Sequence, residues 1–130
     1  MKTTIVPYIF YRDVSAALQW LSQAFGFKEE LRIALPDGRM HAEMSLDGQR
    51  VMMGLRQKQL DDASPRQTGT ATMGVFIWLD NVDIHYARAR AAGAKIESPP
   101  RDEAYGRTYT AIDLDGHPWF FTTPPESEIE

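Results

Sequence analysis

Residues 105–121, YGRTYTAIDLDGHPWFF, decide how this chain of 130 residues is read. The stretch runs as an alternating strand, a turn at Leu114-Asp115-Gly116-His117-Pro118 and a short apolar strand from Trp119. The Asp-Gly pair supplies the left-handed backbone a tight hairpin needs, and Pro118 keeps the chain out of a helix. The same phrase occurs earlier. Leu46-Asp47-Gly48 lies 68 residues before Leu114-Asp115-Gly116, between an alternating run (Met40 to Leu46) and an apolar one (Val51 to Leu55). Phe25-Gly26-Phe27 precedes Ala92-Gly93-Ala94 by 67 residues, as Asp13 precedes Asp80. Landmarks that recur at nearly one offset mark a duplicated unit.

Working outward, each copy reads as βαβββ. In the first, Thr4 to Tyr11 is β-branched and aromatic, a strand that Pro7 confines to an edge or a bulge. Asp13 or Ser15 caps a helix with Ala17, Trp20, Leu21, Ala24 and Phe25 inward, and Gly26 ends it. Strands follow at Glu29 to Leu35, Arg39 to Leu46 and Arg50 to Leu55, the first two joined by Pro36-Asp37-Gly38. In the second copy, Gly74 to Leu79 is the first strand. Asp80 or Asn81 caps a helix carrying Val82, Tyr86, Ala89 and the stem of Arg90 inward, and Gly93 ends it. Lys95 to Glu97 forms a short strand, Ser98 to Gly106 a polar loop, and the closing hairpin completes the unit. The expectation is one α+β domain: repeat one at about 4–55, a connector without regular structure at 56–73, repeat two at about 74–123, and a frayed acidic tail from Pro124. A connector of this length is also the kind that serves as a flap.

Composition excludes several classes. Hydrophobic residues at 43% and charged residues at 25% describe a globular chain, and no apolar run approaches the ~20 residues that span a bilayer. Zero cysteines leave no thiol nucleophile, disulfide or thiolate metal site, in keeping with a reducing, cytoplasmic setting. A net charge of −4 disfavours nucleic acid as a partner and, mildly, favours cationic over anionic small molecules.

A helix covers one face of each sheet, so the apolar register turns inward and the mixed register outward. Parity puts His41, Glu43, Met52, Val6, Tyr8 and Phe10 on the uncovered face of the first sheet. It puts Phe76, Trp78, Arg107, Tyr109 and Phe120 on that of the second. Two curved mixed sheets with the helices outside would enclose these residues in a central trough, aromatic with a few polar groups, as small-molecule pockets are.

The paired βαβββ units, the PYIFYRD strand leading to a helix that ends in AFGF, and YGRTYTAIDLDGHPWFF together resemble the vicinal oxygen chelate superfamily of glyoxalases, extradiol dioxygenases and bleomycin-resistance proteins. Within it the chain looks most like the glyoxalase-like proteins of the PhnB type. The resemblance covers roughly residues 4–123. It implies homodimers whose pockets can be shared between subunits, and in the metal-dependent members His or Glu ligands at positions that here are Val6, Met52, Gly74 and Phe120. None of these ligates a divalent cation, and no His, Asp or Glu lies within two residues of them. The expectation is therefore no metal or other cofactor, and metal-dependent lyase or dioxygenase activity is disfavoured.

Individual residues keep two readings each. His41 and Glu43 share a strand face and suit a general base, or form a structural polar pair. Arg107 clamps a carboxylate or phosphate, or pairs with Glu43 or Asp113. Phe10, Phe76, Trp78 and Phe120 stack an aromatic or cationic ligand, or fill a core or dimer interface. His85 and His117 read as surface residues. The functional expectation is a metal-free protein that binds a small, partly aromatic molecule through Tyr8, Phe10, His41, Glu43, Met52, Phe76, Trp78, Arg107, Tyr109 and Phe120. It would sequester a toxic or antibiotic compound as bleomycin-resistance relatives do. The alternatives are an enzyme of the same superfamily, metal-dependent or using His41 and Glu43 for acid-base chemistry, and an interaction protein whose aromatic face meets another chain.

Overall fold

A computed structural model describes residues 2–36, 38–54 and 63–126. The first half runs β1 (Tyr8–Phe10), α1 (Val14–Phe25), β2 (Lys28–Ala34), β3 (Met40–Leu46) and β4 (Gln49–Gly54). A short helix α2 (Pro65–Thr68) interrupts the connector. The second half runs β5 (Val75–Trp78), α3 (Val82–Ala91), β6 (Lys95–Glu103), β7 (Gly106–Ile112) and β8 (Pro118–Thr123). The end of the fourth strand at Leu55, Asp37 in its turn, positions 56–62 of the connector and the tail at 127–130 lie outside the described residues.

Helix boundaries follow local chemistry. Asp13 caps α1 by accepting the Ala16 N–H at 3.0 Å, and Asn81 caps α3 by accepting the Ile84 N–H at 3.1 Å. Gly26, at φ 82°, closes α1 with its N–H directed at the Leu21 and Ser22 carbonyls. The neighbouring carbonyl of Gln23 and that of Ser22 also accept from the Arg88 guanidinium of α3, at 3.2 and 2.9 Å.

The strands form two four-stranded sheets, ordered β1-β4-β3-β2 and β5-β8-β7-β6. In each, the first strand runs parallel to the last and the other pairs are antiparallel. This is the α+β class read from the sequence. The sheets are open, however, and do not curl into an enclosing trough. One continuous core serves both halves: α1 and α3 pack on each other, and Phe25 of α1 reaches Trp119 and Phe121 of β8 at 5.3 and 4.8 Å between ring centres. Each fully buried side chain of this size contributes about 2 kcal/mol through its removal from water.

Three boundaries differ from the sequence reading. β1 is only three residues long; Pro7 has no N–H to donate, although its carbonyl accepts from Met52 at 2.9 Å. The region after Glu97 is not a loop. β6 continues to Glu103 through Ser98-Pro99-Pro100, because it is an edge strand where prolines are tolerated, and its pairing with β7 slips on either side of Ser98. The connector is not wholly irregular either. Pro65 opens α2, the Ser64 N–H donates to the Gln67 side chain at 2.8 Å, and the Arg66 N–H donates to the Asp115 carbonyl at 2.7 Å.

A polar candidate site on the uncovered sheet faces

The alternation of β3, β4 and β8 behaves as parity requires. Ala42, Met44, Val51, Met53, Trp119 and Phe121 are buried against the helices, while His41, Glu43, Met52 and Phe120 lie on the opposite faces. Tyr8 is 41% exposed on the first sheet, with Ile9 buried behind it; Phe76 and Trp78 are 45% and 55% exposed on the second. Two glycines let rings lie close against the sheets. A Cβ at residue 54 would collide with the Tyr8 hydroxyl, and one at residue 74 would sit 2.7 Å from the Phe120 ring.

On the first face the side chains form a hydrogen-bonded row. The Tyr8 Oη lies 3.1 Å from His41 Nδ1 and the two rings stack at 5.7 Å. His41 Nε2 lies 3.3 Å from Glu43 Oε2, and the other Glu43 oxygen accepts from Arg50 Nη1 at 3.0 Å. A carboxylate only accepts, so the neutral His41 ring carries its proton on Nε2 and receives the Tyr8 hydroxyl proton at Nδ1. His41 and Glu43 thus work as a connected pair, with Arg50 as a third member the sequence reading missed. The signal was available: Arg50 shares the parity of Met52 and lies opposite Ser45.

The second face is aromatic. Phe76 meets Trp78 edge-on at 4.9 Å, and Tyr105, from the turn joining β6 and β7, approaches Phe76 at 6.4 Å. Tyr105 belongs to the hairpin stretch but was not placed at the site.

Parity fails on β7. Tyr109 pairs across to Phe121 and stacks on it at 5.1 Å, so Arg107, Tyr109 and Ala111 face the helices and not the uncovered surface. The two hairpins explain why. His41 opposite Gly54 corresponds to Thr108 opposite Thr122, an offset of 67 residues on one strand and 68 on the other. The second hairpin is one residue longer, and a slip of one residue turns a whole strand over. Tyr109 is fully buried, its hydroxyl 2.6 Å from His85 Nδ1, and burial raises its pKa well above that of free tyrosine. Arg107 pairs with Asp83 of α3 at 3.1 Å and with Asp102 at 3.2 Å, so its partners are neither Glu43 nor Asp113.

The two other histidines are also not plain surface groups. His85 is part-buried between the helices, with Nε2 3.1 Å from the Phe25 carbonyl; desolvation, aided by nearby Arg88, lowers its pKa against the opposing pull of that carbonyl. His117 Nε2 donates to the Phe10 carbonyl at 2.9 Å. Its neighbour Asp113 is buried, accepting from Tyr11 (2.6 Å), Trp119 (2.9 Å) and the N–H groups of Asp115 and His117. Burial first, then the Asp113 charge, pushes the Tyr11 phenol well above its ordinary pKa.

The hollow of the molecule lies between β1 and β5, under α2. It is a cleft of about 950 Å³ lined by Tyr8, Phe10, Met73, Phe76 and His117 together with Thr68, Thr70 and Thr72. A second hollow of about 630 Å³ carries Trp78 and Arg50 and shares Pro7, Val75 and Phe76 with the first. The uncovered positions of β1, β4, β5 and β8 supply rings, a thioether and hydroxyls. Among the described residues no three His, Asp or Glu side chains gather. The donor set does not fit a divalent ion, which takes several carboxylate or imidazole ligands at once.

A family model described as the Glyoxalase/Bleomycin resistance protein/Dioxygenase superfamily matches residues 4–130. The structure of TioX from Micromonospora sp. ML1 is 32% identical, covers 95% of this chain and 97% of its own, and superposes with a TM-score of 0.73. TnmS3, described as an antibiotic binding protein from Streptomyces sp. CB03234, shares the fold at 19% identity, with 96% and 99% coverage and a TM-score of 0.70. A curated relative, the uncharacterized protein Rv0887c of Mycobacterium tuberculosis, is 26% identical over 129 residues, 95% of this chain and 76% of its own length.

Proposed function

Because the chain belongs to the Glyoxalase/Bleomycin resistance protein/Dioxygenase superfamily, we propose that it binds a small, partly aromatic molecule and sequesters it without metal-assisted chemistry. The observation that carries this reading is the cleft of about 950 Å³ between β1 and β5, lined by the rings of Tyr8, Phe10 and Phe76 and the thioether of Met73. Such a wall stacks planar apolar ligands and fixes their orientation with few polar contacts. The shared fold with an antibiotic binding protein, TnmS3, supports the same class of ligand. Tyr8, Phe10 and Phe76 line the cleft, and we assign His41, Glu43, Met52, Trp78 and Phe120 to the uncovered sheet faces that flank it. Burial of Tyr109 and the ion pairs of Arg107 remove those two from it.

The protein acts, in this reading, as a cytoplasmic homodimer. Phe76, Trp78 and Phe120 are exposed rings on the second sheet that a second copy of the chain would cover. Trp78 fluorescence tests the ligand reading, because its ring meets the cleft residue Phe76 at 4.9 Å, with Trp78→Phe as the control for Trp20 and Trp119. Saturable quenching by planar aromatic antibiotics is expected. Silence across a chemically diverse panel defeats the reading. A second reading, acid-base catalysis, draws on the row Tyr8, His41, Glu43; turnover that survives His41→Ala would remove it.

A further inference from the structure

We propose that the outer edge of β5 recognises the ligand through its main chain, and that the molecule held in the cleft carries an extended secondary amide beside its aromatic ring. The inference rests on the reading of the cleft as a small-molecule site and adds the chemistry of what enters it. The edges of the two sheets are β1, β2, β5 and β6. An edge offers N–H and C=O groups to any extended chain, and three of these edges are blunted against such pairing. β2 carries Lys28, Glu29, Glu30 and Arg32 and is irregular between Glu29 and Leu31. β6 contains Pro99 and Pro100, and its register slips on either side of Ser98. β1 follows Pro7, and His117 Nε2 occupies its Phe10 carbonyl at 2.9 Å. β5, Val75-Phe76-Ile77-Trp78, has no charge, proline or bulge and pairs with β8 in unbroken register.

Backbone parity identifies the groups that are left over. In a strand the N–H and C=O of one residue point to the same side, and successive residues point to opposite sides. The Leu79 N–H donates to the Thr122 carbonyl at 2.9 Å, so Val75, Ile77 and Leu79 address β8, and Phe76 and Trp78 present their main-chain groups to the other side. Among the described residues, nothing hydrogen-bonds to the main chain of Phe76 or Trp78. The hollows run along this edge. A hollow that meets only the face of a strand is lined by alternate residues. Here consecutive residues line both: 5–10 and 72–76 the cleft, and 75–79 the second hollow. Phe76 belongs to both and is the anchor we assign.

The edge also sets the class of ligand. An extended amide unit lying antiparallel to β5 exchanges two hydrogen bonds with Phe76: its N–H donates to the Phe76 carbonyl, and its carbonyl accepts from the Phe76 N–H. The substituent on that unit then lies beside the Phe76 ring, where an aromatic group packs well. Trp78 offers a second such pair ~7 Å along the strand, within reach of a ligand with two or more amide units. Esters and N-alkylated amides lack the donor. Carboxylates and plain phenols lack the alternation of donor and acceptor. With β1 as the opposite wall, the space of about 950 Å³ admits a short strand-like molecule and not the sheet of a second copy.

The test uses the full chain with N-acetyl-naphthylalanine methylamide and its analogue methylated on the α-nitrogen, followed by calorimetric titration and residue-resolved amide hydrogen exchange. Wild type should bind the parent about tenfold or more tightly than the analogue, and the parent should slow exchange at Phe76. Phe76→Ala, which keeps the N–H and loses the ring, should weaken both ligands and preserve the preference. Phe76→Pro removes the N–H on the side away from β8 and should bind the parent about fivefold more weakly than Phe76→Ala; matching thermal melts of the two variants show the β5–β8 ladder intact. The two ligands on wild type decide the matter whether or not the proline variant folds. Equal binding of parent and analogue, or binding that leaves Phe76 exchange unchanged, overturns edge recognition while the cleft reading stands. Protection of Phe76 that rises with protein concentration in the absence of ligand gives the edge to a second copy and also overturns it. Binding of neither probe overturns edge recognition, and silence of Trp78 across the panel above would then remove the cleft reading as well.

Discussion

The two halves share a strand order but spend their outer surfaces differently. On the first sheet the uncovered face is a row of titratable groups from Tyr8 to Arg50. On the second, the matching positions hold threonines and the rings of Phe76, Trp78 and Phe120. The hairpins diverge in the opposite sense. Asp47-Gly48 turns in the open, at φ 50° for Asp47, whereas Asp113 and Asp115 are buried and fastened to the end of β1. Duplication supplied one scaffold, and the polar chemistry then settled outside in the first copy and inside in the second.

The sharpest way to break this contrast is to remove the buried carboxylate. Asp113→Ala strands the Tyr11 hydroxyl, the Trp119 indole N–H and two backbone N–H groups, and should cost about 3 kcal/mol or more in urea unfolding. Tyr109→Phe leaves His85 Nδ1 without its 2.6 Å partner and should cost about 1–3 kcal/mol by the same measurement.

The pH dependence follows the buried titratable groups of both halves. Tyr11 and Tyr109 have pKa values raised in the folded state, so their contribution is complete below ~10 and is lost as pH rises past the point where the unfolded phenols ionise. His85 runs the other way. Its folded pKa is lowered, so the unfolded chain takes up the proton first, and stability present above ~6.5 declines on acidification toward the folded value. Thermal melts across pH should therefore fall at both ends, and His85→Gln should flatten the acid side. The smallest effect belongs to the exposed turn: Asp47→Asn, which tolerates the left-handed conformation, should change stability by less than about 0.5 kcal/mol.

Much of this was legible in the chain itself. The repeated Asp-Gly phrase, the helix caps and the parity of His41, Met52, Trp78 and Phe120 all follow from period and turn chemistry, which are local properties. What parity could not carry was the single extra residue of the second hairpin. It turned Arg107 and Tyr109 inward, and its mark in the sequence is only the step in the repeat offset from 67 at the helix ends to 68 at the Asp-Gly turns. The roles of His85 and His117 were equally hidden, because their partners, the Phe25 and Phe10 carbonyls, lie 60 and 107 residues away.

Those long separations bear on how the molecule is made. Tyr11 waits for Asp113, Arg12 for Asp115 and Phe10 for His117, each more than a hundred residues downstream. During synthesis the amino-terminal half leaves the ribosome with the end of β1 unfastened and the Phe25 edge of its core bare. It can be finished only when the last hairpin arrives, so the two copies, for all their likeness, mature as one cooperative body.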